Sequence, residues 1–507
     1  MAAPTQLPGT STPSTADDHP VLLRLTRQGT LSTHVKQAAS WALASRVAAQ
    51  LLQFVGVLVT ARLLVPSDYG VYAVVYPIVG FAAIFTNLGL DSAVIHAKRL
   101  TEEVLSTAFW VNAVSGVGLT ALFCLLSVPI AGLFREPQLV PLICLASLGY
   151  TVNCGIVQTA LLERTLRFKQ IAVIDTAAGV VSFAGIVVTA ALGAGAFALV
   201  IGPLLGQLVT TLAVWSVVRW FPRSGYDHAV AKELWSYSKG VTGFQAVSFW
   251  ARNADNLLLA RVVSQADLGN YNRAYNLMRM PVEQTIALMS RVLFPALARL
   301  RDDPSRMGRA WLKAMQVAVM LTAPATLVVA VSAPATVEVL LGSRWLGMVT
   351  VLQLLSVAAL PQVISSTSLG LLRATGDTGR LFRLGLFSAG NTFLAMAIGL
   401  PWGTEGVATA LLVKFLCDVP ITVVICCRQT GLPQRTVYAA LRGIVLACAG
   451  LVTVGIAVRV SLPEGTWAWL LLLTQGTACL LTYVAILFLV DRPALTTTLS
   501  VLKRRSL

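Results

Sequence analysis

Apolar residues fill most of the chain in long runs, and short polar segments separate these runs. A helix of about 20 mostly apolar residues crosses the hydrocarbon core of a bilayer, so each run predicts one transmembrane helix. The pattern predicts about 14 such helices, near 40–63, 70–90, 108–133, 139–162, 171–192, 196–218, 235–260, 269–297, 311–333, 349–371, 384–400, 405–426, 439–459 and 466–490. The fold class is therefore all-α and polytopic. Helices 7 and 8 are the least apolar, and a hydropathy window that misses them finds only 12.

The two predicted helices between Leu234 and Leu297 are apolar enough to lie in a membrane, yet together they carry seven charged side chains. They are Lys239, Arg252, Asp255, Arg273, Arg279, Glu283 and Arg291. Each charge at the centre of a bilayer costs about 2.5–3.5 kcal/mol on insertion scales, so such residues face water, one another or a ligand. Because five of the seven are cationic, helices 7 and 8 are predicted to form one wall of a water-filled, positively charged cavity.

On helix 7, Arg252 and Asn256 share a face with Gln245, and Asp255 is placed to pair with Arg252 and cancel its charge. Such a pair is one of two open interpretations for Asp255, the other being a coupling acid.

On helix 8, Asn272, Asn276, Arg279 and Glu283 line up at i, i+4, i+7 and i+11, and the last two are spaced for a salt bridge. Three cations remain unmatched in this stretch: Lys239, Arg273 and Arg291. They either line the cavity or are ordinary side chains that reach the interface from helix ends.

Two other helices carry polar residues at membrane depth. Arg46 and Gln50 share one face of helix 1 with Gln53, although Arg46 lies near a helix end, from which it also reaches the inner surface. On helix 12, Lys414 and Asp418 are four residues apart and are predicted to pair. The alternatives for this pair are substrate contact, or protonation of Asp418 coupled to transport.

An excess of positive charge in a membrane cavity suits an anionic ligand such as a phosphate or pyrophosphate, which arginine binds in a bidentate manner. The candidate substrate-binding residues are Arg46, Gln50, Lys239, Arg252, Asn256, Arg273, Asn276, Arg279, Arg291 and Lys414. The possible coupling acids are Asp255, Glu283 and Asp418.

Part of this stretch repeats an earlier segment at a constant offset of 199 residues. Residues 61–76 and 260–275 match at six of 16 positions without a gap. The shared residues are the Ala-Arg pair that begins each copy, then an Asp, a Gly and two Tyr. Both copies lie between two apolar runs, which indicates a duplicated half, as in many transporters.

Lysine and arginine segregate to alternate loops, 26 on one side against five on the other, and this excess marks the cytoplasmic side. Both termini are then cytoplasmic. The predicted domains are a disordered tail (1–37), an N-terminal lobe with helices 1–6 (38–220), a cytoplasmic linker (221–234), a C-terminal lobe with helices 7–12 (235–427), and helices 13–14 with a basic tail (428–507).

Composition excludes several classes of protein. Of 507 residues, 56% are hydrophobic and 12% charged, about half the charge of a soluble protein. The net charge of +16 is spread over short loops, so nucleic acid is not the expected partner. No paired cysteine motif, phosphate-binding loop or nucleophile motif is present, so we expect no cofactor, no metal site, no catalytic residues and no enzymatic activity.

Short motifs run from about residue 40 to residue 370 in a recognisable order. They are Trp41; Ala61-Arg62-Leu63-Leu64 with Pro66, Asp68, Gly70 and Tyr72; Leu88-Gly89-Leu90; Phe109-Trp110; Leu162-Glu163-Arg164 with Leu166-Arg167-Phe168-Lys169; Asp255-Asn256-Leu257-Leu258; Leu268-Gly269-Asn270-Tyr271; Ala274-Tyr275; Leu293-Phe294-Pro295-Ala296-Leu297; and Gly342 with Trp345. In these motifs the chain resembles polysaccharide flippases of the Wzx type.

The resemblance implies membership of the multidrug/oligosaccharidyl-lipid/polysaccharide exporter superfamily. Its members have two six-helix lobes in a V shape and work by alternating access. The related lipid II flippase resembles this chain in its cationic cavity and in two extra C-terminal helices.

The expected function is therefore a flippase that moves a polyprenyl-pyrophosphate-linked oligosaccharide across the bacterial cytoplasmic membrane for exopolysaccharide or lipopolysaccharide biosynthesis. The expected partners are this substrate, membrane lipids, and polysaccharide polymerase and export machinery. Two alternatives stay open: a cation-coupled small-molecule or drug antiporter of the same superfamily, and a membrane polymerase or glycosyltransferase that uses a lipid-linked sugar.

Overall fold

The computed structural model describes residues 20–21, 50–96, 100–300, 303–375, 378–463 and 466–492, and all regular secondary structure in these ranges is helical. The α-helices, in chain order, are α1 (Gln50–Leu63), α2 (Pro66–Asn87), α3 (Leu90–His96), α4 (Glu102–Phe134), α5 (Leu139–Val152), α6 (Ile156–Arg164), α7 (Phe168–Ala191), α8 (Ala198–Val218), α9 (His228–Leu259), α10 (Gln265–Arg299), α11 (Pro304–Val331), α12 (Ala333–Leu340), α13 (Val349–Ala374), α14 (Thr378–Gly399), α15 (Gly403–Thr430), α16 (Gln434–Ser461) and α17 (Ala468–Val490). Short 3₁₀ helices lie at Gly195–Phe197, Ser343–Met348 and Leu400–Trp402. The predicted all-α class is confirmed.

Within the described ranges, nine helical segments are long and apolar enough to cross a membrane, or ten if the bent pair α5 and α6 counts as one span. One segment, Arg383–Thr430, is 48 residues long and combines most of α14 with all of α15. Helices α9 and α10 are outside this set, which is what the low hydropathy of the seventh and eighth predicted helices leads us to expect. The chain is a multi-pass membrane protein.

Several element boundaries differ from the sequence prediction. The predicted helix 139–162 is the two helices α5 and α6, bent by 48° at the break. The break contains Gly155, where a Cβ atom would lie 2.8 Å from Cγ2 of Val214, so the glycine permits close approach of α8. The predicted linker 221–234 is also partly helical, because Asp227 Oδ1 accepts hydrogen bonds from the backbone N–H groups of Ala229 and Val230, and α9 starts at His228.

The predicted helix 311–333 starts earlier, at Pro304, because Asp303 caps α11. Its Oδ1 atom accepts hydrogen bonds from the backbone N–H of Arg306 at 3.0 Å and from the Ser305 hydroxyl at 2.9 Å. These bonds stabilise the carboxylate and lower the pKa of Asp303 below its ordinary value. The basic residues between Pro304 and residue 311 therefore lie in the first turns of α11, where the sequence predicts a loop.

Contacts divide the chain into two compact units, and each is described by itself. Unit 1 contains Ile78–Trp250 with the described residues up to Gly56, and unit 2 contains Val57–Pro77 and the described chain from Ala251 onward. Helices α2 and α9 each contribute residues to both units. The predicted limits of the lobes and of the C-terminal helix pair stay predictions.

In unit 1, the segment after α8 is held by the first turn of α4. Glu102 Oε1 accepts hydrogen bonds from the backbone N–H of Arg223 at 2.8 Å and from the Ser106 hydroxyl at 2.9 Å. Its Oε2 atom accepts one from the indole N–H of Trp220 at 3.2 Å. Because one carboxylate satisfies three donors, the start of the predicted linker is fixed to α4.

In unit 2, each copy of the 16-residue repeat contains the start of a helix, and the two starts lie 199 residues apart. Asp68 and Asp267 are both the third residue of their helices, α2 and α10. Asp68 Oδ2 accepts from the backbone N–H of Val65 at 3.0 Å, and Asp267 Oδ2 accepts from the Ser264 hydroxyl at 2.7 Å. In each copy, an acid in the first turn reaches back to the residue that precedes the helix, which is the geometry of a capping box.

The same two helix starts cross with their backbones in close contact. A Cβ atom on Gly70 would lie 1.8 Å from the carbonyl oxygen of Gln265, and one on Gly269 would lie 1.8 Å from the carbonyl oxygen of Pro66. The two contacts are equivalent under the repeat. Gly269 lies 199 residues after Gly70, and Gln265 lies 199 residues after Pro66. Small residues at helix crossings allow this approach, and here the repeat supplies one to each helix.

We expect Gly70→Ala and Gly269→Ala each to destabilise the protein by about 1–3 kcal/mol, because the new methyl group overlaps a backbone atom that cannot rotate away. Thermal unfolding of the purified protein in detergent measures this. Gly390→Ala in α14 is the matched control, since no atom lies within 4 Å of its Cβ position, and alanine there favours the helix. A melting temperature of Gly70→Ala equal to that of the control would contradict the close crossing.

Candidate functional site

Three asparagines of α9 and α10 form a row of amides in unit 2. The Asn272 side-chain N–H donates to Oδ1 of Asn256 at 3.3 Å, and the Asn276 side-chain N–H donates to Oδ1 of Asn272 at 2.9 Å. The row runs from buried Asn256 to exposed Asn276. Neutral amides both donate and accept hydrogen bonds, which suits the hydroxyl groups of a sugar.

Asp255 is buried beside the start of this row, with only 2% of its surface exposed. Its Oδ2 atom accepts a hydrogen bond from the Tyr271 hydroxyl at 3.2 Å, and Oδ1 accepts one from the backbone N–H of Asn256 at 2.9 Å. The predicted partner Arg252 lies on the described part of α9, but its side chain is outside the described residues. The Asp255–Arg252 pair therefore stays a prediction.

Arg279 and Glu283 form the salt bridge that their spacing predicts. Arg279 Nε donates to Oε1 of Glu283 at 3.0 Å, and Nη2 contacts the same oxygen. The guanidinium lies 5.6 Å from the ring centroid of Tyr275. Arg279 keeps 26% of its side chain exposed and Glu283 57%, so the pair is accessible and the acid neutralises the arginine.

Arg273 has a different environment, because aromatic and hydroxyl groups surround it. Its Nη2 atom donates to the hydroxyl oxygens of Tyr69 and Thr60, the latter at 3.2 Å. The guanidinium lies 3.9 Å from the ring centroid of Tyr69 and 5.9 Å from that of Trp345. Among the described residues, no carboxylate pairs with Arg273, and its Nε–H has no hydrogen-bond acceptor.

The groups around Arg273 are themselves fixed. The Tyr69 hydroxyl donates to Thr60 Oγ1 at 2.8 Å, and the Trp345 indole N–H donates to the backbone oxygen of Ala61 at 2.8 Å. The rings of Tyr69 and Trp345 meet edge to face at 5.3 Å. Cation–π contact with two rings stabilises a charge that has no acidic partner.

Lys414 and Asp418 form the predicted pair on α15. Lys414 Nζ lies 2.8 Å from Oδ2 of Asp418, with 5% and 9% of the two side chains exposed. Asp418 Oδ1 also accepts a hydrogen bond from the Asn391 side chain at 3.2 Å, and Nζ donates to the Ser388 hydroxyl at 3.4 Å. Both charges are neutralised and hydrogen-bonded, which is the condition for holding an ion pair in a buried place.

The remaining candidates lie in unit 1 or outside the described side chains. Gln50 is half-buried on α1 and Lys239 is exposed on α9, both in unit 1. Arg46 is outside the described residues, and only the backbone of Arg291 is described. The two predicted helices of this stretch carry five cations and two acids, and Arg273 belongs to the surplus of positive charge because no described carboxylate pairs with it.

Several residues of this site are not among the sequence candidates. They are Thr60, Tyr69, Tyr271, Trp345, Ser388 and Asn391. Tyr69 and Trp345 read as ordinary interfacial aromatic residues, and neither is near Arg273 in sequence. Only the repeat could have indicated Tyr69 from the sequence, because Tyr69 directly precedes Gly70, the glycine at which α2 and α10 approach closely.

Comparison with known proteins agrees with this architecture. Residues 59–350 match the family described as polysaccharide biosynthesis protein. The lipopolysaccharide biosynthesis protein WzxC of Escherichia coli is 28% identical over 71% of this chain and 74% of its own length. The teichuronic acid biosynthesis protein TuaB of Bacillus subtilis is 23% identical over 88% of this chain and 96% of its own length.

Solved structures share the fold. The lipid II flippase MurJ in an inward closed conformation superposes with a TM-score of 0.71 at 14% identity, over 89% of this chain and 98% of that one. An inward-facing multidrug resistance transporter of the MATE family superposes with a TM-score of 0.57 at 15% identity, over 75% and 95%. The resemblance that the motifs indicate is confirmed, and the chain belongs to the polysaccharide biosynthesis protein family.

Proposed function

We propose that this protein is a flippase that moves a polyprenyl-pyrophosphate-linked oligosaccharide from the inner to the outer leaflet of a bacterial cytoplasmic membrane, by alternating access. The product would serve exopolysaccharide or lipopolysaccharide biosynthesis. Membership of the family and relatives named for polysaccharide biosynthesis support the substrate class. A succinoglycan biosynthesis transport protein of Rhizobium meliloti, 26% identical over 72% of this chain and 74% of its own length, supports transport.

The single observation that carries the proposal is the polar surface of α9 and α10. An amide row that ends at exposed Asn276 lies on the same helix as the accessible arginine Arg279. Sugar hydroxyls suit the amides, and a pyrophosphate suits a guanidinium whose acidic partner is more exposed than itself. A phosphate that reaches Arg279 would replace Glu283 as its acceptor.

We further propose the membrane arrangement that the sequence predicts. Fourteen helices would cross the bilayer in two six-helix lobes followed by a C-terminal pair, with both termini cytoplasmic. Helices α9 and α10 would be the seventh and eighth spans, and their charges would face water. Polysaccharide polymerase and export machinery would act on the translocated product.

The ten candidate residues are proposed to have three roles. Arg279, Asn256 and Asn276, with Arg46, Gln50, Lys239, Arg252 and Arg291, are proposed to contact the headgroup. Arg273 is proposed to hold α2 and α10 together beside that surface, because its Nη2 donates to two hydroxyls of unit 2. Lys414 is proposed to neutralise Asp418. Of the three possible coupling acids, Glu283 and Asp418 have a cationic partner within hydrogen-bond distance, and for Asp255 the described partners are Tyr271 and Asn256.

Arg252→Ala, Arg273→Ala and Arg279→Ala should each strongly lower polymer export while membrane insertion is retained. Loss of charge-assisted hydrogen bonds of about 1.5–3 kcal/mol predicts a fall in export of roughly tenfold to a hundredfold for Arg279→Ala. Export is measured as polymer produced by a bacterial strain that depends on this gene. A second measurement is the fraction of lipid-linked oligosaccharide that stays inaccessible to a membrane-impermeant oxidant, because this fraction remains in the inner leaflet.

The matched control is Arg299→Ala, which removes an exposed arginine at the end of the same helix, α10. We expect it to export normally. If export survives Arg252→Ala, Arg273→Ala and Arg279→Ala alike, the cationic residues are structural and the headgroup site is wrong.

The buried pair on α15 should behave as a structural unit. Lys414→Met alone leaves a buried carboxylate without its cation, so we expect it to destabilise the protein by about 3–5 kcal/mol, and Lys414→Met with Asp418→Asn to recover most of that loss. The exposed pair Arg306–Asp303 is the control, because Arg306→Met should cost no more than about 1 kcal/mol. Melting temperatures in detergent measure both.

The same variants test whether the pair takes part in transport. If Lys414→Met with Asp418→Asn is stable but exports no polymer, Asp418 is a coupling acid or a substrate contact rather than half of a structural pair.

A further inference from the structure

An apolar cleft of about 330 Å³ lies between α11, α13 and α16 in unit 2. Its walls are Leu327, Ala330, Val331, Gln353, Leu354, Val357, Val452, Ile456 and Arg459. Seven of these nine side chains are aliphatic, and Gln353 uses its side-chain N–H to bond the backbone oxygen of Ala330 at 3.2 Å. The cleft therefore offers almost nothing to a polar ligand except at the position of Arg459.

Arg459 is the feature that distinguishes this cleft from an ordinary gap between helices. It lies in the last turn of α16, its side chain is exposed, and it has no hydrogen bond, ion pair or ring contact with any part of the chain that the structure describes. Because none of the described residues occupies the five donors of this guanidinium, it is available to an anion at this end of the cleft.

The depth of the lining residues matches the shape of a lipid. Val452, Ile456 and Arg459 lie at i, i+4 and i+7 on one face of α16, so Val452 is about 10 Å further from the helix end than Arg459. Because α16 is long and apolar enough to cross a membrane, we expect its end to lie near an interface and Val452 to lie at the depth of hydrocarbon. A ligand that fills this cleft has its charge at the interface and an apolar chain below it.

The size of the cleft suits a narrow occupant. A helix with its side chains is about 10–12 Å wide, whereas a single hydrocarbon chain is narrower and can fill a cleft of about 330 Å³ more closely. An occupied cleft is also more stable than an empty one, because side chains that line an empty gap lose dispersion contacts on one side. An acyl chain is narrow and flexible enough to supply those contacts.

We propose that the cleft between α11, α13 and α16 binds one anionic phospholipid, with its phosphate on Arg459 and an acyl chain along Val452 and Ile456. Under the orientation proposed above, the lipid comes from the outer leaflet. It would seal the junction between the C-terminal pair α16–α17 and helices α11 and α13. The site is separate from the polar surface of α9 and α10, and no transport substrate takes part in it.

The experiment is native mass spectrometry of the full-length protein, exchanged into detergent with either phosphatidylglycerol or phosphatidylcholine of the same acyl chains. We expect the wild type to retain one phosphatidylglycerol about fivefold to tenfold more strongly than one phosphatidylcholine, as one basic residue at a membrane surface predicts. Arg459→Gln should remove this preference. Arg261→Gln, a change at another exposed arginine of unit 2, should keep it.

A second pair of variants tests the apolar half of the site. Ile456 lines the cleft and is 53% exposed, whereas Val460, one turn further on, does not line it and is 79% exposed. Ile456→Trp should block the chain and lower retention of both lipids, and Val460→Trp should leave retention unchanged.

Equal retention of the two lipids by the wild type, an unchanged preference in Arg459→Gln, or unchanged retention in Ile456→Trp would each overturn the proposal. Because lipid retention is measured without substrate, none of these outcomes depends on whether the protein is a flippase.

Discussion

The energy needed to hold a charge at membrane depth is the constraint on which this structure depends. A lone ion in a low-dielectric setting is unstable, and three cations of this structure each have compensating groups. Glu283 compensates Arg279, and Asp418 compensates Lys414. Arg273 has no acidic partner among the described residues and is stabilised by the ring faces of Tyr69 and Trp345 with two hydroxyls. The third solution differs in kind, because aromatic rings leave the positive charge in place instead of cancelling it.

That third solution exists only because two helices approach closely. Gly70 and Gly269 let the first turns of α2 and α10 meet backbone to backbone. Tyr69 precedes Gly70, and Arg273 lies one turn beyond Gly269, so the contact between glycines brings the ring and the guanidinium together. The helix caps at Asp68 and Asp267 fix where each helix begins, and hence which residues occupy the crossing. The repeat therefore explains a feature of the site and not merely the origin of the chain.

The all-helical class, most helix positions and two ion pairs follow from the sequence, because hydropathy and i, i+4 spacing are local properties. Arg279–Glu283 and Lys414–Asp418 are such pairs, and both are present. The surroundings of Arg273 and the contribution of Asn391 to Asp418 depend on contacts 204 and 27 residues apart, which no local pattern contains. The sequence analysis also missed the bend between α5 and α6, because it treated 139–162 as one apolar run although Asn153 and Gly155 lie at the break, where Gly155 permits the close approach of α8.

If the polar surface of α9 and α10 binds the headgroup as proposed, it must also release it, and its neutral and charged groups would serve these two needs differently. If every donor were an unpaired cation, a pyrophosphate would bind too tightly to leave, since each charge-assisted hydrogen bond is worth about 1.5–3 kcal/mol. The amide row of Asn256, Asn272 and Asn276 offers weaker bonds that water replaces at little cost. Glu283 competes with any phosphate for Arg279, and this competition lowers the affinity without removing the arginine. A binding surface with these properties favours turnover over retention, as transport requires.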